Sequence, residues 1–207
     1  MKNIAVFVSG GGTNLQTIID GISSGRIKNG RIAVVLSSKD DVFAIERARN
    51  NSIPVEIVKR RDYPDECEFS RKVLEKVRQY EIDLIVLAGF MSVLSAEFIK
   101  LYENKIINVH PALIPAFSGK GFYGLRVHEA ALERGVKISG ATVQFANEVT
   151  DGGPIILQKV TEVKSDDTAQ SLQARIMAEC EQPLLVEAVD LFCDERLVVA
   201  DSKVYVK

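Results

Sequence analysis

The strongest constraint on this chain is a change of hydrophobic period that recurs through its first 90 residues. Lys2 to Val8 is a short apolar run ending in Ser9-Gly10-Gly11-Gly12, after which Leu15, Ile18, Ile19 and Ile22 recur at helical spacing. Ile32 to Leu36 is followed in the same way by Ala44, Ile45 and Ala48, on a helix ending near Asn50-Asn51, and Val55 to Val58 by Phe69, Val73, Leu74 and Val77. Ile82 to Ala88 then forms a nearly unbroken apolar strand, the kind that is buried on both faces. Strands alternating with helices pack as a parallel sheet with helices on both sides, because each connection must cross over the sheet before the next strand can run the same way.

The remainder continues this pattern and then departs from it. A strand is predicted over Lys105 to Val109, a Gly- and Pro-containing loop over Pro111 to Gly121, and a helix over Leu125 to Arg134. Ile138 to Phe145 and Ile155 to Val163 flank a turn at Thr150-Asp151-Gly152-Gly153-Pro154. Ala169 to Leu191 reads as one long helix with Leu172, Ile176, Cys180 and Leu184 on a stripe, bent at Pro183, whose ring clashes with the carbonyl four residues back. Leu197 to Val199 and Lys203 to Val206 read as a closing hairpin. With no repeat or linker, the expectation is a single domain over 1–207: an α/β, Rossmann-like, mostly parallel central sheet with helices on both faces and a C-terminal hairpin.

Charge and cysteine usage narrow the function classes. Lys+Arg 26 against Asp+Glu 28 gives no basic surplus for a nucleic-acid backbone. No apolar run reaches the roughly 18 residues that would cross a bilayer, and the first apolar stretch runs into glycines rather than a cleavage site, so a soluble cytoplasmic protein is expected. Cys67, Cys180 and Cys193 are far apart and only His110 and His128 are present, so neither a disulfide framework nor a metal site is expected.

Several places carry candidate chemistry. A Gly-rich turn between a first strand and its helix directs unpaired N–H groups, and the positive end of the helix dipole, at one spot where a phosphate fits. The third glycine of a dinucleotide fingerprint would fall at Leu15, and no Gly-Lys-Ser/Thr follows. A monophosphate ester held by Gly12, Thr13 and Asn14 is therefore the functional reading, and a tight turn in which Thr13 or Asn14 caps the helix is the structural one. Asn108-Val109-His110-Pro111 lies at the carboxyl end of a predicted strand, with Asn108 and His110 on one face. A carboxamide and an imidazole side by side suit a reaction in which negative charge grows on a carbonyl oxygen, although a lone histidine also closes loops structurally. Asp151 would hold His110 if the fold brought them together, and is otherwise a plain Asp-Gly turn. Met91, Val93 and Leu94 either wall a slot for a flat ring or pack the core; Glu181 either meets an amine inside the fold or is a solvated helix residue. His128 reads as a surface helix residue without chemistry.

Taken together, Ser9-Gly10-Gly11-Gly12-Thr13-Asn14-Leu15-Gln16, Leu87-Ala88-Gly89-Phe90-Met91, Asn108 to Pro115 and Val149 to Ile156 resemble the glycinamide ribonucleotide formyltransferases, folate-dependent enzymes of purine biosynthesis, over nearly the whole chain. The resemblance implies a transfer of formyl from 10-formyltetrahydrofolate to the amine of glycinamide ribonucleotide, without a metal, in a monomer or homodimer. It implies a catalytic trio at Asn108, His110 and Asp151, and a ribonucleotide site at Gly12, Thr13, Asn14 and Glu181. It also implies a folate slot at Met91, Ser92, Val93, Leu94, Asn108, Asn147, Glu148, Val149, Thr150 and Asp151, with an arginine, Arg61 or its neighbour Arg60, close by. Three positions depart from the family pattern: Ser139, Gln144 and Gln182 stand where many members carry histidine, so altered hydrogen bonding is expected there. The rival readings are a formyltetrahydrofolate hydrolase, a methionyl-tRNA formyltransferase, or a phosphate-ester-binding module without catalysis.

Overall fold

The computed structural model describes residues 1–207. Five strands, β1 (Lys2–Val8), β2 (Gly30–Ser37), β3 (Val55–Ile57), β4 (Leu84–Leu87) and β5 (Ile106–His110), run parallel in the spatial order β3-β2-β1-β4-β5. Two antiparallel strands, β6 (Ile138–Phe145) and β7 (Ile155–Glu162), extend the sheet beyond β5. The expected mostly parallel α/β sheet is thus found, and β8 (Leu197–Ala200) pairs with β9 (Lys203–Val206) in the expected terminal hairpin.

Alternation along the strands divides the core in two. On β1, Ile4, Val6 and Val8 face a cluster that also holds Leu15 and Ile18 of α1 (Thr13–Ser23), Ala44 and Ala48 of α2 (Phe43–Asn50), and Leu184, Leu185 and Val189 from a late helix. Ala5 and Phe7 point the other way, to Phe69 and Val73 of α3 (Glu66–Val77) and Phe98 of the short α4 (Ala96–Leu101). Phe7, Phe69 and Phe98 are all fully buried, and removing each such ring from water contributes about 1.5–3 kcal/mol, so the two faces are anchored independently.

The expected C-terminal helix is found, with a π segment inside it that periodicity does not show. After α5 (Leu125–Arg134) and β7, the chain forms α6 (Ala169–Ile176), a wide π turn over Met177–Glu181, and α7 (Gln182–Cys193). Pro183 is the second residue of α7, directly after the π segment. The three segments follow one another without a break and the backbone stays right-handed helical through both junctions, so they form one long helix, and the π segment just before Pro183 makes room for a ring that would otherwise clash with the preceding turn. Glu181, the last residue of the π segment, is buried, 5% exposed.

Candidate active site

In the strand order the chain lies outward in both directions from the β1/β4 boundary, and the crevice of an open α/β sheet forms at such a reversal, beyond the carboxyl ends of the strands. The loops following β1 and β4 meet there. Ser9 is buried, shares a 2.6 Å hydrogen bond with the Ser38 hydroxyl, and accepts one from the Met91 backbone N–H at 2.9 Å. The glycine loop and the Ala88–Leu94 segment are therefore fixed relative to one another by a single hydroxyl.

Gly12 is the N-cap of α1, with φ 74°, and a Cβ placed on it would lie 2.7 Å from the Cβ of Ala44. Only glycine allows α1 and α2 to approach this closely while the chain turns left-handed. Gly10 and Gly11 face open space. No side chain caps the turn, so the capping alternative for Thr13 and Asn14 is not what folds; the first N–H groups of α1 stay available at its positive end. Arg47 of α2 donates to the Gly11 carbonyl at 2.9 Å and to Gln16 Oε1 at 3.1 Å, bringing a cation beside the loop that the sequence reading missed. Its only signal was its place one helical turn after Ala44, the residue against which Gly12 packs.

Asn14 and Glu181 are both buried, and the Asn14 amide lies beside the Glu181 carboxyl. Burial pushes Glu181 up to about 7, with Asn14 working in the opposite direction. Asn14 Oδ1 has no partner in the protein. An amide oxygen and a partly protonated carboxyl, both shielded from water, form a receptor for a nitrogen that carries its own protons.

The Asn108, His110 and Asp151 side chains converge. Val109 packs toward the α1/α7 core, leaving Asn108 and His110 on the opposite face of β5. Antiparallel pairing sets Gln144 opposite Asn108 and Thr142 opposite His110, so four polar side chains share that face. Asp151 enters from the β6–β7 connection with φ 55°, a conformation that aspartate tolerates. Its Oδ2 lies 3.5 Å from His110 Nδ1 and accepts from the Gly119 N–H at 2.9 Å. Its Oδ1 accepts from Gln144 Nε2 at 3.3 Å and from Asn108 Nδ2 at 3.5 Å. The His110 and Asp151 side chains are 6% and 7% exposed, so their interaction is shielded from solvent. His110 Nε2 faces the carbonyl of Phe117 at 2.8 Å, and Phe117 has φ 49°.

The segment after His110 is held separately. Thr142 Oγ1 donates to the Ala112 carbonyl at 2.7 Å and accepts from Ile114 N–H at 3.1 Å. Gln158 Nε2 donates to the same hydroxyl and to the Ile114 carbonyl, each at 3.0 Å. Sequence reading assigned neither residue a role.

The remaining expected residues are distributed as follows. Met91 is 59% exposed and Val93 63%, which excludes core packing for both; Ser92 is half-buried, and Leu94 alone enters the α3/α4 core. Asn147, Glu148, Val149 and Thr150 are exposed on the loop that delivers Asp151, where Asn147 accepts from Val149 N–H and donates to the Gly152 carbonyl, each at 3.0 Å. Arg61 points outward and pairs with Asp40 at 3.1 Å, whereas Arg60 turns inward over the Phe69 ring. His128 is a correction: it is fully buried rather than on the surface, and neither ring nitrogen has a partner. Burial first, and the nearby His110 second, push it down to about 4.

Residues 2–189 match the formyl transferase family, and the chain belongs to it. It is an enzyme of one-carbon group transfer. Its similarity is to the phosphoribosylglycinamide formyltransferases within that family. The chain is 37% identical over 205 residues to that of Haemophilus influenzae, covering 99% of this chain and 93% of the relative. It is 40% identical over 197 residues to the chloroplastic one of Arabidopsis thaliana, covering 95% of this chain and 67% of the relative. Among solved structures, glycinamide ribonucleotide transformylase 1 from Symbiobacterium toebii superposes with TM-score 0.92 at 40% identity, covering 100% of this chain and 94% of that one. No helix is long and apolar enough to cross a membrane.

Proposed function

We propose that this enzyme transfers the formyl group of 10-formyltetrahydrofolate to the amine of glycinamide ribonucleotide. The observation that carries the reading is the convergence of Asn108, His110 and Asp151 on one shielded spot, at the same sheet edge as a glycine loop whose helix terminus is uncapped. The residues present fit both ligands. Exposed Met91, Val93 and Val149 offer apolar contact to a flat ring, and the Asn147–Thr150 backbone offers it polar groups. Gly12, Thr13 and Asn14 offer N–H groups to a phosphate, with Arg47 close by. Arg61, exposed near the end of β3, suits the anionic tail of a folate.

The folate supplies the formyl carbon. Glu181 and Asn14 hold the substrate amine, and a carboxyl near 7 can take up a proton from its ammonium form, leaving a nucleophile. Asn108 Nδ2 and a protonated His110 donate to the oxygen on which negative charge grows, each such donor contributing about 3–4 kcal/mol in a site that excludes water. His110 can offer Nε2–H only when the Phe117 carbonyl gives way, since one N–H serves one acceptor well. Asp151 orients the His110 ring through Nδ1 and carries the proton from the attacking amine toward the departing nitrogen. Holding the two substrates in line supplies much of the rest.

The test is to follow formyl loss from 10-formyltetrahydrofolate with glycinamide ribonucleotide, with water alone, and with charged methionyl-tRNA. Loss that requires the ribonucleotide is expected. Equal release without an acceptor would make the enzyme a hydrolase and end this reading.

A further inference from the structure

We infer that Gln144, on β6, is the positioning residue that holds the Asp151 carboxylate in its working orientation toward His110. The inference rests on the function proposed above. Gln144 is 1% exposed and its Nε2 donates to Asp151 Oδ1 at 3.3 Å. Its other end, Oε1, is buried with no partner in the protein. Burying half an amide unpaired is unfavourable, and folds that need only to fill space avoid it; such exceptions concentrate where orientation serves function. Reversing the amide would satisfy nothing, because Oε1 would then face a carboxylate oxygen.

The two carboxylate oxygens are held differently. Oδ2 has the Gly119 backbone N–H at 2.9 Å and faces His110. Oδ1 has two donors, both carboxamides, and the Asn108 contact is the longer at 3.5 Å. Asn108 must also serve the substrate oxygen, which leaves Gln144 as the one side chain dedicated to Oδ1. Cross-strand pairing explains how it reaches: Gln144 lies directly opposite Asn108, and the β6–β7 register shifts between Val143 and Gln144, loosening the strand where its side chain meets the Asp151 turn. A carboxamide also brings no charge of its own, so the titratable groups around Asp151 are His110 on β5 and, behind it, His128 on α5.

The experiment uses the full-length enzyme and three substitutions, Gln144→Met, Gln144→Glu and Gln144→His, each checked for an unchanged thermal midpoint. Gln144→Met keeps the length and removes the donor; kcat should fall about tenfold or more, with KM for both substrates within about twofold. Gln144→Glu sets a like charge against Asp151 and should move the acid limb of the kcat profile to higher pH. Gln144→His restores an N–H and should recover part of the kcat lost in Gln144→Met. An unchanged kcat and pH profile in Gln144→Met and Gln144→Glu would overturn the inference, and so would parallel loss of kcat, KM and thermal midpoint, which marks a purely structural residue. A wild-type enzyme that ignores glycinamide ribonucleotide would overturn the functional reading itself, whereas an active wild type with insensitive variants overturns only the role of Gln144.

Discussion

Replacing Glu181 by glutamine should stabilise the protein at high pH while weakening its hold on the substrate amine. Burial carries this carboxyl from its ordinary 4.5 to about 7 in the folded chain, a difference equivalent to roughly 3 kcal/mol. Below 4.5 both folded and unfolded chains hold the proton, and the native state bears no penalty. Between 4.5 and about 7 only the unfolded chain ionises, so native stability falls by about 1.4 kcal/mol per pH unit; above 7 the native carboxyl ionises too and the loss levels off. Glu181→Gln removes that titration and offers an N–H to the unpartnered Asn14 Oδ1. Wild type alone would conceal the effect. His128, pushed down to about 4 from 6.5, costs stability as pH falls through nearly the same window, and the two trends oppose each other. The informative quantity is therefore the stability difference between variant and wild type, measured by urea unfolding near pH 4.5 and again near pH 8.5. It should grow by about 3 kcal/mol toward high pH. A difference independent of pH would refute the assignment of a raised, buried carboxyl. At high pH, binding of glycinamide ribonucleotide to the variant should weaken more than binding of folate, as calorimetry on each ligand would register.

His110→Ala and Asp151→Asn should each lower turnover by about a hundredfold or more, in steady-state formyl transfer at saturating substrates; near-normal rates would remove that residue from the mechanism. Gly12→Ala combines a left-handed backbone with a 2.7 Å approach to Ala44, so it should destabilise the fold by about 2 kcal/mol or more and weaken phosphate-bearing ligands, read by thermal unfolding with and without ribonucleotide. His128→Leu removes two unpartnered buried nitrogens and should leave stability at neutral pH unchanged or higher, while abolishing one component of acid destabilisation between about pH 6.5 and pH 4; a large loss at neutral pH would mean that the ring has partners in solution.

The sheet was legible because its strands are short apolar runs with no competing period, and Ile82 to Ala88 admitted only a strand buried on both faces. The helix expected over Ala169 to Leu191 was legible from its stripe of Leu172, Ile176, Cys180 and Leu184, but periodicity does not register the π segment before Pro183, at whose end Glu181 is buried. His128 was misread because the exposure of a helical position depends on what packs against it, and α5 packs against α6 by a contact between elements far apart in sequence. Motif spacing marked Asn108, His110 and Asp151 without bringing them together. Arg47 and Gln158 lay in no motif, and Gln144 was marked only as a departure from the family pattern, because each acts by reaching a residue on a different strand, loop or helix.

How Asp151 arrives explains why the site needs the antiparallel half of the sheet. β6 runs against β5, so Phe145, at the end of β6, lies beside Ile107, low on β5, and Ala146 N–H bonds to the Ile106 carbonyl. A chain leaving β6 there starts far from His110 and must fold back to reach it. The close passage of Gly153 past the Phe145 carbonyl, which leaves no room for a Cβ, closes the base of that excursion. Gln144, Asn108 and the Gly119 N–H catch the Asp151 carboxylate at its tip. A parallel strand in the place of β6 would send its following loop to the same edge as the glycine turn, crowding the ribonucleotide rather than covering Asn108. The two strands that break the βα alternation are thus what lets one carboxylate approach His110 from the side opposite the phosphate loop, leaving the crevice between β1 and β4 free for substrate.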